Sequence, residues 1–536
     1  MTHLSRRQWL GAAMGAAALP LAGCDAPGGG DIAGGFAGTH LERGHVLRDP
    51  GARDRLLLGP APVARHAQVV IAGGGIAGLA AARALRLNGI DDVALLELED
   101  TAGGNSRGGQ VDGIACPLGA HYLPVPGDDA HEVQDWLEEI GVRRRLAGRW
   151  RYDERYLCHS PQERHWRDGA WHEGLLPVDG VAAATLAQYR RFAALIDGER
   201  RTSRHAMPAL RAPFDAHQRQ LARNSFAAWL DAHGLTDEHL RWYLDYCCRD
   251  DYGAGPSQVS AWAGVHYFAS RHGFSAPGDD SVRTHDEAVL TWPEGNGWLA
   301  RQLAAPLGER VHAGRTVLRI APARHGVEVD ALDHATGRLE RWRAAQCVVA
   351  LPLHVAVRVV EAPPPLLVQA AARTPHAAWL VANLRLDAPL RDRPGAAPSW
   401  DNVLHGSSAL GYVDARHQAL DPRPGPTVLT WYRALGAAPE ARRALLQYPW
   451  THWRDGIVDE LSVPHPDLRE RLLRMDITRY GHAMAVPAPQ DDPVMAPAVV
   501  RHDRLAFAHA DWSGYSVFEE AFTRGHLAGL ALARTG

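Results

Sequence analysis

The stretch from Gln68 to Ser106, QVVIAGGGIAGLAAARALRLNGIDDVALLELEDTAGGNS, constrains this chain more than any other. Val69, Val70, Ile71 and Ala72 form a short unbroken apolar run, the pattern of a strand buried on both faces of a parallel sheet. Gly73, Gly75 and Gly78 follow in G-x-G-x-x-G spacing, and the Ala- and Leu-rich segment from Ile76 to Asn88 reads as a helix closed by Asn88-Gly89. A second apolar strand, Val93 to Leu96, runs into Glu97. Each residue type has a task. Gly73 allows the tight turn, Gly75 lets backbone approach a pyrophosphate, Gly78 lets helix and strand pack closely, and Glu97 accepts from a ribose. In this setting the motif predicts a dinucleotide site, but the glycines do not say which dinucleotide.

The next residues do. Glu97-Leu98-Glu99-Asp100-Thr101-Ala102-Gly103-Gly104-Asn105-Ser106 resembles the E-x-x-x-x-x-G-G segment of the flavin-containing amine oxidase superfamily, where a second glycine pair passes close to the FAD phosphates. The resemblance implies FAD rather than NAD, with Gly103, Gly104, Asn105 and Ser106 at the cofactor. Gly119-Ala120-His121-Tyr122 is similar to a superfamily turn that passes beside the isoalloxazine. This implies Gly119 and Ala120 as cofactor contacts and His121 as a candidate flavin-edge residue, a structural histidine being the alternative. Thr291 to Trp298 resembles the segment that returns the chain to the nucleotide domain, Ala350-Leu351-Pro352 matches a strand-ending proline, and Val317 matches the residue whose backbone holds the adenine. The segment from Arg504 to Phe522 resembles the closing F-A-G-E … G-x-x-E-G-A element. It implies Asp511 at the ribityl or phosphate region and a helix starting at Trp512 and ending near Gly529. The N–H groups near Val517 and Phe518 would face the flavin pyrimidine.

The resemblance implies an α/β fold: a Rossmann-like FAD-binding domain (66–148, 291–353 and 480–536) interleaved with an α+β substrate domain (149–290 and 354–479). Helical spacing over Val181 to Tyr246 suggests a cap over the flavin. Residues 25–65 are Gly/Pro-rich and read as a linker with an irregular arm. With 536 residues, 46% hydrophobic and 22% charged, the chain can bury two intertwined domains, and its net charge of −4 gives no basis for nucleic-acid binding. Six cysteines stand without C-x-x-C or Cys/His ligand spacing, so no metal is expected.

The first 24 residues read as an address. Ser5-Arg6-Arg7-Gln8-Trp9-Leu10 resembles a twin-arginine export motif, and the apolar run from Gly11 to Leu19 is too short and weak for an ordinary membrane span. Leu21-Ala22-Gly23-Cys24 resembles a lipoprotein box, implying acylation of Cys24, and Asp25 resembles an inner-membrane retention signal. The expectation is a protein exported already folded around its cofactor and held by lipid on the periplasmic side of the inner membrane. An uncleaved membrane anchor is the alternative.

In amine-oxidising members of the superfamily, aromatic rings flank the substrate nitrogen, and Trp512 and Tyr515 are candidates for that wall, with core packing as the alternative. The segment from Arg479 to Pro487 brings His482 to the point where the chain re-enters the flavin site, so it is a candidate base with a pKa near neutrality, or a structural histidine. The chain has no lysine; all 57 basic residues are arginine. Many members use a lysine, through a water at N5, in reaction with oxygen. Its lack favours a dehydrogenase that passes electrons to a quinone or another carrier. The implied substrate is a small molecule, an amine with polyamines in view. The rival reactions are desaturation or isomerisation of an apolar lipid-like substrate, and a flavin-binding protein without turnover is a third reading. Cavity carboxylates with an aromatic pair would mark an amine, a long apolar tunnel a lipid, and a closed flavin face the third.

Overall fold

The computed structural model describes residues 32–271, 273–277, 288–421, 423–491, 493 and 496–534. The export and lipidation motifs, Cys24 included, lie outside the described residues.

Val69–Ala72 lies inside a six-stranded sheet with the order Val311–His312, Val93–Leu96, Val69–Ala72, Gln346–Val349, Leu505–Phe507, Val500–His502. Every pair is parallel except the last. All four residues of Val69–Ala72 are buried, because alternate side chains meet different layers. Val69 and Ile71 pack with Leu79 of the helix Ile76–Leu87 and Phe522 of the closing helix Phe518–Ala533. Val70 and Ala72 pack with Val317 and Trp342, which belong to a four-stranded sheet of Arg315–Ala323, Gly326–Asp333, Arg338–Ala344 and Val63–His66.

The closing segment differs from expectation. A short 3-10 turn, Ala510–Ser513, ends at Gly514 with φ of 82°, and the helix begins at Phe518 and runs to Ala533. Its glycines seat it on the first helix: a Cβ on Gly525 would lie 2.0 Å from the Ala77 carbonyl oxygen.

An eight-stranded sheet carries the rest, in the order Ala33–Phe36, Leu472–Ala485, His376–Leu386, Thr427–Gly436, Tyr412–Asp414, Asp401–Leu404, Glu163–Arg167, Ala170–Glu173. Period-2 alternation sorts its faces. Trp379, Val381 and Tyr432 pack with residues of the helices Ala183–Thr202, Glu238–Tyr252 and Ala261–Ala269. Leu380, Ala382 and Trp431 pack with the helix Trp450–Ser462 on the other side.

The arm expected to be irregular is structured from Ala33. Ala33–Phe36 joins the eight-stranded sheet parallel to Leu472–Ala485, helices Leu41–His45 and Pro50–Leu57 follow, and Val63–His66 joins the four-stranded sheet. Its glycine content reflects close packing: Gly34 has φ of 130° and a Cβ there would sit 1.9 Å from the Met475 carbonyl oxygen. Asp49 caps the second helix by accepting from Gly51 N at 2.9 Å, with Pro50 at the first helical position. Among the described residues, no helix is long and apolar enough to cross a membrane.

Candidate active site

A continuous cavity of about 930 Å³ is lined by residues of both the six-stranded and the eight-stranded sheets. At its nucleotide end Gly73 has φ of 103° and Gly75 is the N-cap of Ile76–Leu87 with no side chain capping it, so the first-turn N–H groups are free for an anion. A Cβ on Gly78 would lie 1.9 Å from the Gly73 carbonyl oxygen, so helix and turn touch only because the residue is glycine. Gly103 and Gly104 have φ of 134° and 57°, and Gly103 N donates to the Gly74 carbonyl at 2.7 Å. The two glycine segments thereby form one backbone wall. Ser106 N donates to the Gly103 carbonyl at 2.9 Å and Ala120 N to the Asn105 carbonyl at 2.8 Å, which ties the Gly119 turn to the same wall. A Cβ on Gly119 would come 2.2 Å from that Asn105 oxygen.

Glu97 is buried in this wall and accepts from Gly74 N at 2.9 Å and Glu99 N at 2.8 Å. Burial raises its carboxyl, against those two N–H groups and Arg107. Val317 lines the same end. Free helix N–H groups, a glycine wall that a Cβ would fill and a buried carboxylate at the strand end are the donor set that a dinucleotide needs. The residues present fit FAD.

Further along, Asp511 accepts from Leu353 N at 3.1 Å and from His376 Nε2 at 2.9 Å. Burial alone would raise its carboxyl, but His509 and His376 beside it hold it well below the usual range. One donor atom each from His354, His376 and Asp511 lies within 4.8 Å of the others. The expectation of no metal rested on spacing along the chain, which could not reveal a triad with metal-ligand chemistry assembled from three segments. Val517 is the N-cap of Phe518–Ala533, again without a side-chain cap, and lines the cavity with Ser516 and Phe518.

The opposite end is aromatic and acidic. His121 stacks on Tyr432 at 4.3 Å and meets Tyr122 at 5.0 Å, and Trp379 lines the cavity beside them. Asp250 and Asp251 sit in the last turn of Glu238–Tyr252, which Gly253 ends in the left-handed region. Asp250 accepts from the Tyr122 hydroxyl at 2.9 Å, and both Asp251 oxygens accept from Arg271 at 3.1 Å. Glu519, only 4% exposed, faces the same cavity. Burial, then the Asp251 charge, pushes Asp250 up to about 6, and burial pushes Glu519 up to about 7.

The family profile described as flavin containing amine oxidoreductase matches residues 76–528. The chain belongs to this family. A Mycobacterium tuberculosis protein designated flavin-containing monoamine oxidase AofH is 30% identical over 286 residues, 53% of this chain and 56% of that protein. An L-amino acid dehydrogenase of Synechocystis is 29% identical over 181 residues, 33% of this chain and 36% of that one. The alignments thus span little more than half, or less, of these curated relatives. Wild-type putrescine oxidase bound to putrescine superposes with a TM-score of 0.62 at 17% identity, covering 88% of this chain and 99% of the other. Cyclohexylamine oxidase from Brevibacterium oxydans gives the same four figures. These likenesses show the fold. The protein is an FAD-dependent oxidoreductase with the α/β architecture of the flavin-containing amine oxidoreductases.

In this amine oxidoreductase the cavity brings together every cofactor residue expected from sequence except Gly78, which supports the turn from beneath. Trp512 and Tyr515 do not form the aromatic wall. Trp512 packs at 5.8 Å against Phe507 in the core beneath the cavity, and Tyr515 is fully buried, its hydroxyl shared with His266 at 3.1 Å and Glu520 at 3.2 Å. Those partners hold the Tyr515 ring among the cap helices. The wall is made by Tyr122, Tyr432 and Trp379, from three strands, Tyr122–Pro124, Thr427–Gly436 and His376–Leu386, that no local pattern brings together. His482 does line the cavity, stacked on His354 at 4.4 Å, but it is not tuned to neutrality: burial, then Arg442 and His376, lowers it to about 4. Burial likewise lowers His121 to about 3. Both rings are neutral at physiological pH, whereas the Asp250 and Glu519 carboxyls are raised toward neutrality.

Sequence reading also missed the arm. Thr39, His40 and Arg48 line the cavity, His40 Nδ1 bonds Glu99 at 2.7 Å, and Arg43 bonds the Leu98 carbonyl at 2.9 Å and Asp100 at 2.7 Å. Removing residues 32–58 is expected to speed FAD release by roughly tenfold or more, since about two hydrogen bonds to charged groups are lost. Flavin fluorescence appearing after dilution measures this.

Proposed function

We propose that this oxidoreductase dehydrogenates an amine with a second cationic nitrogen, a diamine or polyamine. One observation carries the reading: two partly or fully buried carboxyls, Asp250 and Glu519, face the FAD cavity beside an aromatic wall. Arg271 neutralises Asp251, which leaves Asp250 and Glu519 to meet a cation. A distal ammonium placed there gains a strong Coulombic partner in a site of low dielectric. Tyr122, Tyr432 and Trp379 hold the carbon chain and exclude water, in the same cavity that the Val517 and Phe518 backbone lines. When bound, FAD supplies the hydride acceptor, N5 of its isoalloxazine. Charged walls of this kind argue against the lipid-like substrate.

The chain's lack of lysine supports a quinone or other carrier as acceptor in preference to oxygen. The motifs at Ser5–Leu10 and Cys24 support twin-arginine export and a lipid tether on the periplasmic side of the inner membrane. Steady-state turnover with a soluble quinone and with oxygen, across monoamines and diamines of equal length, tests the reading. A diamine preference of about a hundredfold in kcat/KM is expected. Equal rates for both, or turnover of polyene lipids only, would count against it.

A further inference from the structure

The hairpin Arg143–Leu146 and Arg149–Tyr152 forms a two-stranded sheet of its own, closed by a two-residue turn in which Ala147 and Gly148 both have positive φ. It holds five arginines and no acid, in a chain of net charge −4. Arg144 lies directly opposite Arg151, and Leu146 opposite Arg149. Like charges in register destabilise a hairpin unless an anion lies over them. Arg144, Arg145, Arg149 and Arg151 are exposed, and none forms an ion pair among the described residues; Arg144 and Arg145 bond the Gly141 and Gly148 carbonyls, and Arg145 also lies 5.9 Å from the Trp150 ring. Of the two carboxylates that follow, Asp153 is held by Arg155 at 2.6 Å and Glu154 is exposed. Among these cations stand two large apolar side chains, Leu146 at the tip, 60% exposed, and Trp150, 41% exposed.

We infer that this hairpin docks on an anionic phospholipid surface. Cations at headgroup level around an aliphatic tip and an indole match the layering of a bilayer interface. A nucleic acid fits less well: it has no use for Leu146, and the Trp150 ring is covered by the Arg143 guanidinium at 3.9 Å, which blocks base stacking on that face. The inference does not depend on the amine reading, and it would bring the oxidoreductase body to the membrane whatever its substrate.

The test uses the full chain, FAD-loaded, with Cys24→Ser so that no acyl chain contributes. Co-sedimentation is measured with phosphatidylcholine vesicles and with vesicles containing added phosphatidylglycerol. Binding is expected to be at least about tenfold tighter to the anionic vesicles, and to fall by about tenfold or more in Arg149→Glu/Arg151→Glu, with flavin content unchanged. Leu146→Ser, at the exposed turn, is expected to weaken binding by several-fold and serves where the charge reversal impairs folding. Equal binding to both vesicle types, undiminished binding of both variants, or binding to single-stranded DNA but not to anionic vesicles would overturn the inference.

Discussion

Gly78→Val is expected to give a protein that retains no flavin. A Cβ at this position would sit 1.9 Å from the Gly73 carbonyl oxygen and 3.4 Å from the Ala350 side chain. The first obstacle is backbone, so relief requires the helix Ile76–Leu87 to lift or the Gly73 turn to open. Either movement displaces the helix N-terminus on which an anion depends. Helix displacement also opens the contact with Phe518–Ala533, where Gly525 already admits no side chain against Ala77. A cost of about 3 kcal/mol or more is expected for overpacking of this kind. Gly89→Ala is the control, since no atom lies within 4 Å of its Cβ but its φ is 80°. There only left-handed strain of about 1 kcal/mol applies, and flavin should stay bound. Flavin content after gel filtration and thermal unfolding separate the two outcomes.

Asp250→Asn is expected to lower kcat/KM for a diamine by roughly a hundredfold, the effect of removing one partner of a buried charge pair. The same change should act on stability in the opposite direction. The Asp250 carboxyl is raised to about 6 in the fold, first by burial and then by Asp251, against about 3.9 in an unfolded chain. It therefore contributes stability in full below about pH 4, and that contribution is lost as the pH rises through about 6. Above that pH the ionised carboxylate is held in the fold at a cost that asparagine does not incur. The variant should exceed the parent by about 3 kcal/mol at pH 8 and match it below pH 4. Amine binding has the reverse profile, rising with pH through about 6 to 7 as Asp250 and Glu519 ionise. Chemical denaturation and kcat/KM followed over the same pH range would show the two curves crossing. Parallel losses of stability and activity would reduce Asp250 to a packing residue.

The difference between what the sequence disclosed and what it concealed has a physical basis. From Val69 to Ser106 the site is made by backbone, and backbone constraints write themselves locally as glycines, an apolar run and an acid at the strand end. The substrate end is made by side chains from remote segments. Tyr122, Asp250, Tyr432 and Glu519 meet only because one cavity draws on the short strand Tyr122–Pro124, the end of a cap helix, a strand of the eight-stranded sheet and the closing helix. Nothing in their local spacing records that meeting. Trp512 and Tyr515 show a subtler failure. Their segment borders the cavity, but the helix begins only at Phe518, and Trp512 in the 3-10 turn and Tyr515 after it both turn into the core. The arm misled for a third reason, because glycine serves close packing as readily as flexibility, and at Gly34 it lets two backbones touch.

The most direct test of an amine-oxidising FAD site is anaerobic mixing of the purified, flavin-loaded protein with monoamines, diamines, polyamines, amino acids and polyene lipids. Absorbance is followed in the visible flavin band. Diamines or polyamines should bleach it, with recovery fast on adding a quinone and slow in air. Bound flavin that no amine bleaches, or that only the lipids bleach, would contradict the account.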